Sequence, residues 1–419
     1  MPSRRTPPGR NYDIVLYGAT GFVGRQTVAY MARHAAGQRW ALGGRSAARL
    51  EAVRAAAGAG AADAGILIAD AADMVALDVL AAQTHVVLST AGPFALYGSG
   101  LVAACVRQRT HYVDITGETP WMHGLIARHH AQAAAEGTRI IPGCGFDSVP
   151  SDLGAWGVAQ ALWRNHGERC VSVKACFSIK GGLNGGTLAS LLNVMDSGQK
   201  RMLEDPFLLN PPGTAPADTS AHADPIAPHH DADFDAWLGP FFMGPINTRV
   251  VRRSAALLAA GKAYADDFRY QEYLRVGRGA LAALAAAGLS FGSLAGQGAL
   301  ALKPARRLAA RLAPAPGEGP SERSMDGGSF RCELIGTGER GTLQRGCIAD
   351  HGDPGNRATT KFVCESALAL ALAGDALPGA MRRGGVPTPE GLGGVLTPAV
   401  GLGGVLVTRL RAAGMVVEP

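Results

Sequence analysis

The stretch Tyr12-Asp13-Ile14-Val15-Leu16-Tyr17-Gly18-Ala19-Thr20-Gly21-Phe22-Val23-Gly24 decides how this chain is read. It carries an apolar strand-type run into three glycines spaced three apart, and then into a helical pattern. Each glycine has a physical task in that setting. Gly18 closes a tight turn, Gly21 lets backbone N–H groups approach a pyrophosphate, and Gly24 lets the helix lie close on the strand. The helix N-terminus then directs its partial positive charge at the phosphates. Such a glycine pattern is weak alone and gains meaning inside a strand–helix unit.

That context is present. Apolar β-type runs at 12–17, 40–42, 66–69, 85–89, 111–115 and 139–141 alternate with helical stretches at 22–35, 47–56, 74–82, 98–107 and 121–135. Alternation of this kind implies right-handed crossovers and a parallel sheet covered on both faces. The fold class is therefore α/β, a Rossmann-type doubly wound parallel sheet over 12–152, with 1–11 as a disordered tail. After Ser151 the rhythm changes. A long β-type run at 169–180, a helix at 185–199 with Thr187 near its start, strands at 330–337 and 341–349 around Gly338-Glu339-Arg340, and a helix at 359–373 predict a second, α+β domain over 153–375. Residues 205–245, rich in Pro, Asp and His, read as a long loop. The segment 376–419 is expected to return and pack on the first domain. It holds a near-repeat, Gly391-Leu392-Gly393-Gly394-Val395-Leu396 and Gly401-Leu402-Gly403-Gly404-Val405-Leu406, the second copy opening a last helix at 405–413.

Composition narrows the function. With 47% hydrophobic and 18% charged residues in 419, the chain can build full cores and is no disordered polymer. The net charge of +6 permits anionic partners without specifying one. Aromatics at 6% do not interleave with basic residues, and no zinc finger, helix-turn-helix or basic zipper is present, so no nucleic-acid partner is expected. Seven dispersed cysteines without a Cys-x-x-Cys read as reduced thiols of a cytoplasmic protein. The N-terminus lacks the apolar core of a secretory signal. The uncharged run 279–302, flanked by Arg275, Arg278, Lys303, Arg306, Arg307 and Arg311, has three readings. It is first a buried or domain-packing helix pair, then an interfacial element on anionic lipid, and last a membrane span. The second reading makes 279–311 a peripheral contact at the inner face of the membrane.

The chemistry gathers at the strand ends. Gly18, Ala19, Thr20, Gly21, Phe22, Val23 and Gly24 form the cofactor-binding turn. The second strand ends in Gly43-Gly44-Arg45-Ser46, without the Asp or Glu that would bond a ribose 2′-OH. Arg45 suits a 2′-phosphate and Ser46 adds a hydroxyl, so NADP(H) is favoured over NAD. Asp70, ending the third strand, either faces the adenine or caps a helix. The fourth strand leads into Ala91-Gly92-Pro93-Phe94. Gly92 and Pro93 shape the floor under a nicotinamide, and Tyr97 is the nearby phenol able to donate a proton. Glu118 and Asp147 reach the same rim from adjacent strand ends, where they either relay protons and position substrate or serve the backbone as caps. Rival chemistries lack their signatures: there is no Tyr-x-x-x-Lys and no Gly-Lys-Ser/Thr phosphate loop. The cluster His229-His230-Asp231-Ala232-Asp233 sits in a Pro-rich setting and reads as a solvated loop, so no metal is expected.

The Tyr12–Gly24 run resembles the saccharopine dehydrogenase-like NADP-binding family. So do Ala41-Leu42-Gly43-Gly44-Arg45-Ser46, Ala91-Gly92-Pro93-Phe94, Tyr112-Val113-Asp114-Ile115-Thr116-Gly117-Glu118 and Gly145-Phe146-Asp147-Ser148-Val149-Pro150-Ser151-Asp152. Asp353-Pro354-Gly355, Thr360-Lys361, Glu365-Ser366-Ala367-Leu368 and Gly394-Val395-Leu396-Thr397-Pro398-Ala399 are similar to the branch holding the trans-acting enoyl reductases. Asn356 and the 205–245 segment depart from the family pattern. The resemblance implies a saccharopine reductase-like second domain and NADPH-dependent reduction of an activated C=C in a hydrophobic acyl or lipid substrate, carrier-bound in that branch. The alternatives are a non-catalytic NADP(H)-binding, lipid-associated protein and a saccharopine- or opine-type amino-acid reductase.

Overall fold

The computed structural model describes residues 9–181, 200–300, 302–312, 317–379, 382–383, 386–387 and 392–418. Six strands build the first sheet: β1 (Tyr12–Tyr17), β2 (Trp40–Gly44), β3 (Gly65–Ile68), β4 (Thr84–Ser89), β5 (His111–Asp114) and β6 (Arg139–Ile141). They run parallel in the order β6-β5-β4-β1-β2-β3. The crossover helices are α1 (Phe22–His34), α2 (Ala47–Ala56), α3 (Met74–Ala82), α4 (Phe94–Arg107) and α5 (Thr119–Ala135). The order reverses between β1 and β4, which opens a crevice at their carboxyl ends. Ile14, Val15 and Leu16 are all fully buried, as a sheet covered on both faces demands. Ile14 and Leu16 join one core with Val28 and Met31 of α1, while Val15 and Tyr17 join another with Leu77, Leu101 and Val102.

Helix α6 (Val149–His166) leads out of this sheet into the second one. The next elements are β7 (Cys170–Lys180), β8 (His229–Asp231), β9 (Ala236–Pro240), α7 (Gly244–Leu257), β10 (Tyr264–Gly277), α8 (Gly279–Leu300), α9 (Lys303–Leu312), β11 (Ser329–Gly338) and β12 (Leu343–His351). Helix α10 (Thr359–Leu372) follows. The chain then returns: β13 (Gly394–Val395) adds to the first sheet beside β6, α11 (Gly403–Ala412) follows, and β14 (Val416–Glu418) ends on β12. The second sheet has the order β14-β12-β11-β7-β10-β9-β8, with β7 and β10 parallel and the other pairs antiparallel.

Four expectations need correction. The tail stops short of Arg10, whose guanidinium donates to Thr110 Oγ1 at 2.8 Å and to the Gln108 carbonyl at 2.7 Å. Residues 205–245 are not a plain loop, since β8 and β9 pair within them and His229–Asp231 is a strand. Three buried arginines of α7 hold the rest. Arg249 donates to the Asp205 and Leu203 carbonyls, Arg252 to Pro206 and His222, and Arg253 to Leu209 and Val395. Such pinning has no sequence period, so nothing local announces it. Helix α10 belongs to the first sheet rather than the second domain: it packs against α1 and across β1, β4 and β5, with Phe362, Val363, Cys364 and Ala367 fully buried. Helix α8 is not buried. It packs through Ala282, Ala286 and Ser290 and leaves Leu281, Leu284 and Phe291 in solvent, because its contact with β9 and β10 covers one face only. The expected helix at 185–199 and Gly391 of the near-repeat lie outside the described residues.

Candidate active site

The glycine turn has the geometry its spacing implies. Gly18 has φ +87°, and its N–H donates to the Gly43 carbonyl at 3.1 Å. A Cβ on Gly24 would stand 2.2 Å from the Gly18 oxygen, so α1 lies directly against the end of β1. Gly21 is the N-cap of α1, in extended conformation. No side chain caps the helix there and its first turn holds no acid. The leading N–H groups of α1 are thus left to an anion, which is what a dinucleotide pyrophosphate supplies. Two supports were invisible in the sequence. Gly319 lies on the Phe22 ring, where a Cβ would come within 2.5 Å, and Arg25 donates to the Gly317 carbonyl at 3.0 Å. Residues 317–319, from the far side of α9, therefore brace the first turn of α1.

Arg45 follows β2 and is exposed, and among the described residues it forms no ion pair. Ser46 caps α2, accepting from the Arg49 N–H at 3.5 Å. Asp70 ends the β3 connection, exposed, with its Oδ1 accepting from Ala72 N at 2.9 Å; the cap of α3 is Asp73 instead. Burial pushes the Tyr17 phenol up to about 12, with the Asp70 carboxylate adding to the shift and the Arg45 guanidinium opposing it. The Tyr17 hydroxyl donates to the Ala69 carbonyl at 3.2 Å, next to Asp70 at the end of β3.

Across the switch point, Thr90 N–H donates to the Tyr17 carbonyl at 2.9 Å and Thr90 Oγ1 to the Gly18 carbonyl at 3.2 Å. This ties the Gly92-Pro93 loop, whose joining peptide is cis, to the glycine turn. Glu118 is buried. Its two oxygens accept from Phe94 N at 2.8 Å and Ala95 N at 3.0 Å, so it caps α4 and fixes the Gly92-Pro93 loop. A carboxylate so engaged positions the loop. Tyr97 lies on the exposed side of the first turn of α4, beside exposed Leu96.

Asp147 is different. It lies just before α6, half-buried, and among the described residues its carboxyl has no hydrogen-bond or ion-pair partner. Burial pushes it up to about 7. Its Oδ2 and the Ile246 Cδ1 both approach Gly117, at 3.3 and 3.1 Å from where a Cβ would be. The loop beneath is held by Thr359 of α10, whose Oγ1 accepts from Phe146 N at 3.1 Å, and by Asp114, which accepts from Thr116 N and Gly143 N. Ile246 comes from α7, and so does Asn247, which donates to buried Glu272 at 2.8 Å; Glu272 also accepts from Ser151 and Tyr270. Thr359, Ile246 and Glu272 were missed in the sequence because they join this site from more than 90 residues away. No group of three or more metal-capable side chains occurs among the described residues; Asp231 and Asp233 bind Lys174 at 2.7 and 2.5 Å.

A parallel sheet with a glycine turn opening a helix at its switch point defines a Rossmann-type dinucleotide-binding protein. Residues 14–141 match the saccharopine dehydrogenase NADP binding domain, which makes NADP(H) the cofactor. The chain is 41% identical, over 98% of both sequences, to Rv2449c of Mycobacterium tuberculosis, which is named as a trans-acting enoyl reductase. It is 38% identical, again over 98% of both, to the trans-acting enoyl reductases of Mycobacterium bovis and Mycobacterium ulcerans. Apo saccharopine dehydrogenase (L-Glu forming) of Saccharomyces cerevisiae shares the fold, with a TM-score of 0.51 over 97% of this chain and 98% of the other at 12% identity. The chain belongs to the saccharopine dehydrogenase-like family, in the branch of the trans-acting enoyl reductases, and is an NADP-dependent oxidoreductase.

Proposed function

We propose that the chain reduces the activated C=C of a hydrophobic acyl substrate, carrier-bound or lipid-like, with Asp147 as proton donor. The observation that carries this reading is the lone Asp147 carboxyl, poised near neutrality beside Gly117 and Ile246. NADPH bound at the glycine turn supplies a hydride to the β-carbon of the enoyl group. Asp147 in its acid form holds a proton at the rim and delivers it to the α-carbon, so that one hydride and one proton complete the saturated bond. Its open edge then lets solvent return the proton. Glu118 keeps Gly92 and Pro93 in place beside the nicotinamide position. Leu96 and Tyr97 of α4 and Phe242, just before α7, are exposed apolar surface at this rim, suited to an acyl chain. The arginines of α7 are engaged within the chain, Arg249 by the Asp224 carboxylate and by backbone carbonyls, Arg252 and Arg253 by backbone carbonyls, so they are committed before any carboxylate of an amino-acid substrate arrives.

The test is NADPH oxidation with enoyl thioesters of graded chain length, on coenzyme A and on a carrier protein. Turnover rising with chain length supports the reading; no oxidation at any length removes it. Arg45 carries a separate expectation. Replacing it with Ala weakens NADPH binding roughly 10- to 150-fold, the worth of a charged hydrogen bond, and leaves NADH binding unchanged. Calorimetry with both coenzymes reads this directly, and an equal loss for the two would take the 2′-phosphate away from Arg45.

A further inference from the structure

The outward face of α8 is apolar along its whole length. Leu281 is 84% exposed, Leu284 72%, Phe291 75% and Leu294 51%, and the residues between them on that side are Ala and Gly. At 100° per residue Leu281, Leu284 and Phe291 fall within an 80° stripe away from Ala282, Ala286 and Ser290, which pack on the sheet, and Leu294 lies at its edge beside Ser290. No charged residue interrupts Gly279–Leu300, and it is long and apolar enough to cross a membrane. It is nevertheless fixed along the protein surface: Leu289 reaches Gly239 of β9, where a Cβ would stand 2.9 Å from its Cδ2. A single face of this size and composition in water marks a contact site.

What covers it is set by charge. From Gly279 to Gly317 the chain has no Asp or Glu, while Lys303, Arg306, Arg307 and Arg311 follow the apolar helix at once. Arg307 and Arg311 stand four apart on α9, exposed, and among the described residues neither meets a carboxylate. By contrast, Arg275 and Arg278, at the sheet end of α8, are neutralised by Glu333 at 2.5 Å and Asp235 at 3.0 Å. The unpaired cations are thus confined to the α9 end of the hairpin. A second copy docking on this face would bring one basic α9 against another with no acid between them. An apolar stripe continuous with a basic helix matches acyl chains beneath anionic headgroups.

We propose that α8 and α9 form a docking surface for an anionic phospholipid bilayer, with α8 lying in the plane of the interface. Strand β9, on which α8 rests, leads in sequence through Phe241 and Phe242 to Ile246 beside Gly117, so one stretch of chain joins the docking element to the site. The docking surface itself does not depend on the reaction assigned above.

The experiment is flotation of the full chain with vesicles of phosphatidylcholine alone and of phosphatidylcholine mixed with phosphatidylglycerol, at low and high salt. The wild-type protein is expected to float with the mixed vesicles, to lose affinity in high salt, and to bind the neutral vesicles weakly. The double variant Leu284→Asp/Phe291→Asp abolishes flotation. Arg307→Gln/Arg311→Gln weakens it roughly 30-fold, the equivalent of two basic residues near a charged surface. NADPH binding, measured on the same samples, is unchanged in all variants and confirms that they fold. Binding that ignores lipid charge and salt, or survives the Leu284→Asp/Phe291→Asp change, overturns the proposal. So does a wild-type dimer that becomes monomeric in that variant, because the face would then be a self-interface. Failure of the enoyl assay leaves flotation untouched, and loss of flotation leaves turnover of short soluble thioesters untouched, so the two readings fall separately.

Discussion

Asp147→Asn is expected to lower kcat by roughly 10²- to 10⁴-fold, the usual span for loss of a general acid, while NADPH binds as before. The pH dependence gives the result its meaning. Burial holds the Asp147 carboxyl up to about 7, so the proton-bearing form dominates below that value. Turnover by the wild-type protein should be flat below pH 7 and fall about tenfold per unit above it. In Asp147→Asn the residual rate should lose that descending limb. Stability from this group also falls as pH rises, but over a lower window. The unfolded carboxyl ionises near 3.8 and the folded one near 7, so ionisation favours the unfolded chain as pH rises between those values. The wild-type protein is therefore at its best below pH 4 with respect to this group, and has lost that contribution by pH 8. Asparagine carries no charge to desolvate, so urea unfolding at pH 8 should find the variant at least as stable as the parent, with the difference gone at pH 4. A variant that is slow, well folded and insensitive to pH isolates proton transfer. If the descending limb persists in Asp147→Asn, another group carries the proton, and Tyr97, 47% exposed on α4, is the next candidate.

Asp114, Asp152 and Glu272 are also pushed up to about 7 by burial, but each is enclosed by hydrogen bonds. Asp114 accepts from Thr116 and Gly143, Asp152 from Ser254 and Ala399, and Glu272 from Ser151, Tyr270 and Asn247. Those partners fix loops and helices to one another, although Asp114 keeps one buried oxygen, Oδ2, without a partner. Asp147 is half-buried rather than fully buried and has none of these partners. Exposure and lack of partners set it apart, since the shift in acidity is common to all four.

The same distinction explains what was legible in the sequence. Strand positions in the first sheet could be read because each is a local apolar run between turns; β1 and β6 have the bounds their patterns predict, and the others differ by one or two residues. The glycine turn was legible because its geometry is a local demand of seven residues. Helix α10 was placed in the wrong domain because a helix buried on every side shows no face, and sequence order put it among second-sheet strands. The 205–245 segment read as a loop because its order comes from Arg249, Arg252 and Arg253 reaching back over 30 to 46 residues to carbonyl groups. Glu118 and Asp147 looked equivalent in sequence. Only the folded chain shows the difference, the pairing of Glu118 with Phe94 N and Ala95 N, 24 and 23 residues away, which Asp147 lacks.

Gly21→Ala and Gly24→Ala, one helical turn apart, are expected to fail in different ways. At Gly24 the new Cβ would lie 2.2 Å from the Gly18 carbonyl oxygen and 2.9 Å from the Ala19 carbonyl carbon, both backbone. No rotamer relieves that contact, so α1 must move off β1, drawing Val28 and Met31 out of their core. We expect a loss of about 2–4 kcal/mol in urea unfolding of the cofactor-free protein, in the range of a strained core substitution. At Gly21 the backbone is extended, with φ −70° and ψ 171°, a conformation open to alanine, and the only atom within 4 Å of the new Cβ is the Gly18 oxygen at 3.3 Å. The fold should change by less than about 0.5 kcal/mol, as for substitutions that meet little. The methyl group, however, occupies the side from which a pyrophosphate would approach the N-terminus of α1. NADPH affinity should fall at least tenfold, which is about 1.4 kcal/mol. Calorimetric titration and urea unfolding on the two variants therefore cross: one loses stability first, the other loses cofactor alone. Gly21→Ala binding NADPH with wild-type affinity would place the pyrophosphate elsewhere, and the crevice assigned to hydride transfer would have to be redrawn around that position.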